Sequence, residues 1–287
     1  MTGSVRPGAA DSGEGQDASA VYALGSSEGE SARLQRQADE LAPDSAALLD
    51  RVGLRPGQAA VDMGCGPRGI LDLLAARVSP GGRVVGLDAD PAHTALAAKF
   101  VADRALGQVE IVVADARHTG LPAGSFDLVH ARTLLVNVPD PAEVVTEMVR
   151  LAKPGGWVAS QEPDVEHALC YPPLPAWHRL REVFRASFSR SGADPRIGRR
   201  LTELYRQAGL EDIDVVVHAP AYPAGHSRRT LLPDLVRSLR PVILDLKLCD
   251  ERELAELDRA VREHLADPRT LMMPHLLVVA WGRKPPA

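Results

Sequence analysis

From Gly57 onward, short apolar runs alternate with amphipathic stretches, the texture of a parallel sheet whose strands are joined by crossover helices. The runs predict strands at Ala59 to Met63, Arg83 to Leu87, Val109 to Val113 and Phe126 to His130, with a fifth entered from Trp157 to Gln161. The third and fourth are near-continuous apolar runs, as expected of strands covered on both faces. Between the strands, Ile70, Leu71, Leu74 and Val78 recur at helical spacing until Pro80-Gly81-Gly82 stops them. Asp90 is placed to cap a helix with Pro91 in its first turn, predicted to bury Leu96, Phe100 and Val101. Asp140-Pro141-Ala142-Glu143 has the form of a capping box, with Val144, Val145, Met148 and Leu151 behind it and Lys153-Pro154-Gly155-Gly156 as the stop.

The flanks read differently. Residues 1–20 are rich in Gly, Ser, Ala and Asp, too poor in large apolar side chains to offset their ordering, and are expected to form a disordered arm. Residues 21–54 predict a helical cap, with Ala32, Leu34 and Leu41 in one helix, Pro43 as the break, and Ala46, Leu48, Leu49 and Val52 in the next. The core is expected over 55–162, and 163–287 should complete the sheet while carrying two lid insertions, about 163–210 and 219–269. Helices are predicted at Trp177 to Phe188 and Ile197 to Ala208, a strand at Asp212 to Val217, two helices punctuated by Pro241 and Asp250, and a last strand from Leu271 to Trp281.

Composition narrows the function more than the fold. The net charge is −5 over 287 residues with basic and acidic side chains interspersed, so there is no basic field to hold a phosphate backbone, and nucleic acid is not the expected partner. No apolar run approaches the roughly 20 residues needed to cross a bilayer, and no signal core follows Arg6, so no membrane partner and a cytoplasmic location are expected. Cys65, Cys170 and Cys249 stand apart without metal-ligand spacing; no metal is expected. A small molecule remains as the partner, and a homodimer is left open.

The chemistry concentrates at the ends of the predicted strands. Val61-Asp62-Met63-Gly64-Cys65-Gly66-Pro67-Arg68-Gly69 is a strand running through a glycine turn into a helix, where the backbone approaches a ligand closely and a helix N-terminus offers free amides. The spacing also fits a dinucleotide fold, but Asp62 stands where such strands carry an apolar side chain; its carboxylate can brace the loop amides or accept from a ligand ammonium. Asp88, with Ala89 after it, ends the second strand at the distance from which an acid takes ribose hydroxyls, and Asp115 with Ala116 follows the third, within reach of an adenine amino group. A nicotinamide oxidoreductase leaves Asp62 and Asp115 without a purpose.

The order Val-Asp-Met-Gly-Cys-Gly, Gly-Leu-Asp-Ala-Asp, Ala-Asp-Ala, Ser-Phe-Asp-Leu-Val-His and Leu-Ala-Lys-Pro-Gly-Gly resembles the class I methyltransferases that use S-adenosyl-L-methionine (SAM), especially the branch of quinone-biosynthesis and natural-product enzymes. The resemblance covers about residues 55 to 162. It implies an α/β, Rossmann-like fold with a seven-stranded, mostly parallel sheet, helices on both faces, and helical lid insertions. It also implies that Gly64 and Gly66 approach the methionine part of SAM, Asp88 its ribose, Asp115 and the Ala116 amide its adenine, and Arg132 its methionine end. Tyr22, Arg33 and Gln37 resemble the N-terminal segment that closes over the cofactor. Arg68 replaces a frequent third glycine and is expected to pair with the SAM carboxylate or point to solvent; Val136-Asn137 replaces a His-His pair of the quinone-type enzymes.

Methyl transfer from a sulfonium rests mainly on placement and water exclusion, with a base needed for some acceptors. His167 and Glu162, on the segment leaving the fifth strand, are the candidate catalytic residues, each weighed against a structural role; His130, His226 and His275 are read as structural. The aliphatic stripe Leu231, Leu232, Leu235, Val236, Leu239, Val242, Ile243, Leu246 and Leu248, with Tyr171, Trp177, Phe184 and Phe188, is expected to be lid packing whose inner side suits an apolar acceptor. The expected function is methyl transfer to oxygen, nitrogen or carbon of a small, mostly apolar metabolite. The alternatives are a methyltransferase-like cyclase that retains SAM and a non-catalytic SAM-binding partner protein.

Overall fold

The computed structural model describes residues 28–190 and 192–287. The arm predicted over 1–20 and the candidate Tyr22 lie outside the described residues.

Two helices open the described chain, α1 (Glu28–Glu40) and α2 (Ala42–Val52). Pro43 sits in the first turn of α2, where its missing N–H costs nothing, and Gly53 ends the helix in the left-handed conformation with its amide on the Leu49 carbonyl. The alternation then runs β1 (Ala59–Met63), α3 (Leu71–Val78), β2 (Arg83–Asp88), α4 (Pro91–Asp103), β3 (Val109–Val113), β4 (Phe126–Arg132), α5 (Pro141–Leu151) and β5 (Ala152–Asp164). Beyond it lie β6 (Leu169–Tyr171), α6 (Pro175–Arg190), α7 (Leu201–Gln207), β7 (Glu211–His218), α8 (Leu231–Ser238), α9 (Arg240–Asp245), α10 (Glu251–Ala266), β8 (Leu271–Met273) and β9 (Leu276–Arg283).

The seven-stranded sheet has the order β3-β2-β1-β4-β5-β9-β7, parallel from β3 to β5, with β9 antiparallel to both of its neighbours. One apolar cluster, on the face of α5 to α7, joins Val61, Met63, Val129 and Val158 to Met148, Leu201 and Tyr205. The other joins Ala60, Val84 and Leu128 to Leu48, Leu49, Leu71 and Leu74 of α2 and α3. Burial at this density, at roughly 25 cal/mol per Å² of apolar surface, is the main force holding the layers. Strand order reverses between β1 and β4, so the loops leaving their carboxyl ends diverge and open a crevice.

Four expectations change. β3 is an edge strand with Val113 exposed, because among the described residues no strand pairs beyond it. Helix α4 buries His93, Thr94 and Ala97, while Leu96, Phe100 and Val101 stay half-buried; Phe100 instead carries the guanidinium groups of Arg68 and Arg104. The run from Leu271 to Trp281 is divided at Pro274, with β8 pairing β6 in a separate two-stranded ribbon and only β9 joining the main sheet. The second insertion holds three helices, since Pro241 starts α9 rather than only interrupting a helix. Asp90 and Asp140 cap α4 and α5 as expected, and Asp250, read only as a break between helices, caps α10; each accepts from a first-turn amide.

Candidate functional site

The glycine turn after β1 is held from beneath. Asp62 is 2% exposed; its Oδ2 accepts from the Ile70 amide at 2.9 Å, and its Oδ1 lies 2.8 Å from His130 Nδ1. Both oxygens are bonded within the protein and the side chain is buried outside the cavity lining, so Asp62 braces the loop. A Cβ on Gly69, at φ +53°, would meet Asp62 Oδ2 at 2.1 Å, so this packing requires glycine there. Behind the turn, the Ser45 hydroxyl donates to Gln161 Oε1 at 2.6 Å and accepts from Arg132 Nη1 at 3.0 Å, tying α2 to β4 and β5. Arg132 also donates to the Gly69 carbonyl, and its burial pulls the guanidinium down to about 10.

The turn opens into a cavity of about 1270 Å³ including its mouth, lined by Gly64, Gly66, Asp88, Ala89, His93, Asp115, Ala116, Arg132 and Leu134 among others. Asp88 Oδ2 accepts from the Gly66 amide and Oδ1 from the Asp90 amide, both at 2.9 Å. Burial pushes the Asp88 carboxyl up, but His93 and these two amides hold it below its ordinary value, so it stays an anion. Oδ1 also faces His93 Nδ1 at 3.7 Å, so Oδ2, beside the Gly66 amide, is the oxygen that keeps a lone pair for a hydroxyl. Asp115 is gripped by Arg117, whose Nη2 lies 2.6 Å from Oδ2, and that ion pair holds its carboxyl low.

A second cavity, about 880 Å³ including its mouth, lies over the carboxyl ends of β4 and β5 beneath α6 and α8. Val136, Trp177, Phe184, Phe188, Leu231 and Leu235 give it the apolar wall typical of small-molecule sites. Thr133 and Asn137 line both cavities, so the two meet at the loop after β4. That loop is pinned: the amides of Leu134, Leu135 and Val136 donate to the Glu162 carboxylate at 3.0, 2.9 and 3.1 Å, and the Asn137 amide group donates to the Thr133 carbonyl at 2.7 Å. Helix α1 bridges both cavities. Leu34 faces the first, while Arg33, Gln37 and Leu41 face the second.

Most predicted cofactor residues therefore share one cavity: Gly64, Gly66, Asp88, Ala89, Asp115, Ala116 and Arg132. Asp62 sits behind its wall. Arg33 and Gln37, one turn apart, belong to the neighbouring cavity, because the helical face carrying them is turned from the one that carries Leu34. Arg68 takes neither predicted role; it pairs with Asp39 and Asp72, locking α1 to α3. Glu162 is fully buried, and with three amides on its carboxylate it anchors a loop rather than facing either cavity; burial, opposed by those amides, pushes it up to about 8. His167 lines neither cavity and lies 3.4 Å from Arg199. His130 is buried in the strand layer as expected, and the ring of His226 accepts from the Arg228 amide. His275, read as structural, lies on the wall of the second cavity, held neutral by burial and the nearby Arg228 charge, which pull it down to about 3.

Sequence reasoning missed Thr133, Asn137, Arg181, Arg185 and Arg228 as lining residues. Only Asn137 had a signal, at the position where relatives of the resembled branch carry a histidine.

Residues 61–160 match the family model described as a methyltransferase domain. The chain is 33% identical over 215 residues to a trans-aconitate 2-methyltransferase of Methylobacterium radiotolerans, covering 71% of this chain and 77% of that protein. It is 41% identical over 122 residues to a nocamycin O-methyltransferase of Saccharothrix syringae, covering 42% and 43%. The chain spans from 43% to 50% of the length of the first curated relatives it matches. A phosphoethanolamine N-methyltransferase of Haemonchus contortus, solved with S-adenosylhomocysteine, superposes with a TM-score of 0.56 at 21% identity over 85% of this chain and 53% of that one. That likeness supports the fold.

Proposed function

The chain belongs to the class I SAM-dependent methyltransferases, and on that premise we propose that it passes the SAM methyl group to a small, mostly apolar molecule held in the lid cavity. The bordering of both cavities by Thr133 and Asn137 carries this reading, since it sets a donor site and an acceptor site side by side. The residues fit the cofactor. Asp88 is an anion whose Oδ2 can still accept a ribose hydroxyl, and Gly64, at φ +68°, lets the chain pass where a Cβ would strike Leu134 at 2.8 Å. Ala114, Asp115 and Ala116, which line the same cavity, would hold the adenine, and Arg132 would lie toward the methionine part.

SAM supplies a methyl group already activated on a positive sulfur. The protein's share is then to orient the acceptor and exclude water, which alone supplies a large part of the barrier reduction. The apolar walls from α6 and α8 exclude water, and the loop clamped by Glu162 fixes the border between the two sites. His275 is the titratable imidazole on the acceptor wall; held neutral near pH 7, it is a weak base, so placement dominates over proton removal.

Incubating the protein with SAM and a panel of apolar acceptors, while following S-adenosylhomocysteine release, tests the reading. Release should depend on an acceptor, and Leu235→Trp, which fills the lid cavity, should slow it without changing SAM affinity. An altered acceptor without S-adenosylhomocysteine would replace transfer by cyclase-type chemistry. No binding of SAM would end both.

A further inference from the structure

The lid cavity is apolar in its walls but not neutral. Among the described residues, four arginines line it, Arg33, Arg181, Arg185 and Arg228, and no acidic residue does. Three have an acidic partner: Glu30 for Arg33 at 2.6 Å, Glu166 for Arg185 at 3.0 Å, and Glu40 for Arg228 at 2.6 Å. Arg181 donates to the carbonyls of Val165 and Glu166 and shares the Glu166 carboxylate with Arg185, so four guanidinium groups stand against three carboxylates. Arg228 is 4% exposed, and while its Nε is bonded to Glu40, its Nη2 has no hydrogen-bond partner among the described residues. A buried, unpaired guanidinium nitrogen on a cavity wall leaves a charged donor without an acceptor, an arrangement that costs free energy unless a ligand supplies one. His275, kept uncharged on the same wall, adds an imidazole that does not repel an anion by charge yet can hydrogen-bond to it.

We propose that the molecule bound in the lid cavity is an apolar acid whose carboxylate is received by Arg228, with Arg181 adding positive charge on the same wall. The proposal rests on reading this cavity as the acceptor site. Guanidinium and carboxylate match in charge and shape, and the remaining apolar surface accepts an aromatic or aliphatic body. Because the ligand enters as an anion, no proton has to be removed for it to bind.

Calorimetry on protein saturated with S-adenosylhomocysteine decides the matter, using matched acid and amide pairs: 4-phenylbutyrate, naphthalene-1-acetate and octanoate against their primary amides. An acid should bind about 10- to 100-fold tighter than its amide, the range for a hydrogen bond to a charged group. Arg228→Gln should erase that preference and Arg228→Lys keep part of it, both retaining the parent affinity for S-adenosylhomocysteine as proof of an intact fold. Amides that bind as well as acids, or an acid preference that survives Arg228→Gln, would overturn the charge assignment while leaving an apolar acceptor site in place. If S-adenosylhomocysteine binds but no member of any pair does, the acid proposal fails; if neutral acceptors are nevertheless methylated, the broader reading stands without it.

Discussion

Replacing Glu162 by leucine removes the acceptor for three buried amides at once, those of Leu134, Leu135 and Val136. The substitution conserves most of the volume, so the effect is electrostatic rather than a cavity. Leaving one buried amide without a partner costs about 1–3 kcal/mol, and with partial relaxation of the loop the three together should cost roughly 3–6 kcal/mol. The result does not depend on the protonation of Glu162, because either form presents the oxygens that leucine lacks. At about 2 °C per kcal/mol for a chain of this size, Tm should fall by about 6–12 °C. Since Leu134 borders the cofactor cavity and Val136 the lid cavity, affinity for S-adenosylhomocysteine should fall as well. Calorimetric melting with and without S-adenosylhomocysteine reads both effects. A variant that melts within about 1 °C of the parent and binds the product normally, yet has lost methyl transfer, would refute the anchoring role and restore Glu162 as a base.

Asp88→Asn should weaken S-adenosylhomocysteine binding about 10- to 100-fold, because one oxygen of a charged acceptor becomes an N–H donor facing the Gly66 or Asp90 amide; an unchanged Kd by titration calorimetry would remove Asp88 from the site. Acid sensitivity should trace in part to His275. Its folded pKa is depressed to about 3 by burial and Arg228, so the unfolded chain takes up a proton near its ordinary value of 6.5 while the folded chain does not. Its contribution is therefore present above pH 6.5 and lost as pH falls toward 3, at no more than about 1.4 kcal/mol per pH unit. His93 is raised by Asp88 and shifts stability in the opposite sense above 6.5, so the test is the difference between parent and His275→Leu in urea unfolding from pH 7 to 5. Parallel pH profiles would show that His275 is not the sensor.

The strand and helix alternation from Ala59 to Leu151 was legible because each element carries its own signal: apolar runs, Asp caps with Pro in the first turn, and glycine stops. The residues at the carboxyl ends of β1, β2 and β3 were legible for a related reason. In a parallel sheet those ends share one edge, so Gly64, Asp88 and Asp115 are gathered by topology alone. The exposed edge at β3, the division of the last apolar run at Pro274, and the pairing of β6 with β8 depend on what lies beside each strand, which local pattern does not encode.

The sequence by itself determined an α/β sheet with a nucleoside-sized crevice, since hydrophobic periodicity and turn chemistry act over a few residues at a time. Only the tertiary structure decided what the polar groups are for. Asp62 and Glu162 look alike as isolated carboxylates until the amides that occupy them, from residues 8 and about 27 positions away, are seen. The lid cavity is still less local. Arg33, Arg181, Arg185 and Arg228 are surface-type residues in sequence, and they come to line one cavity because α1, α6 and the turn before α8 fold over the same strand ends, which buries Arg228.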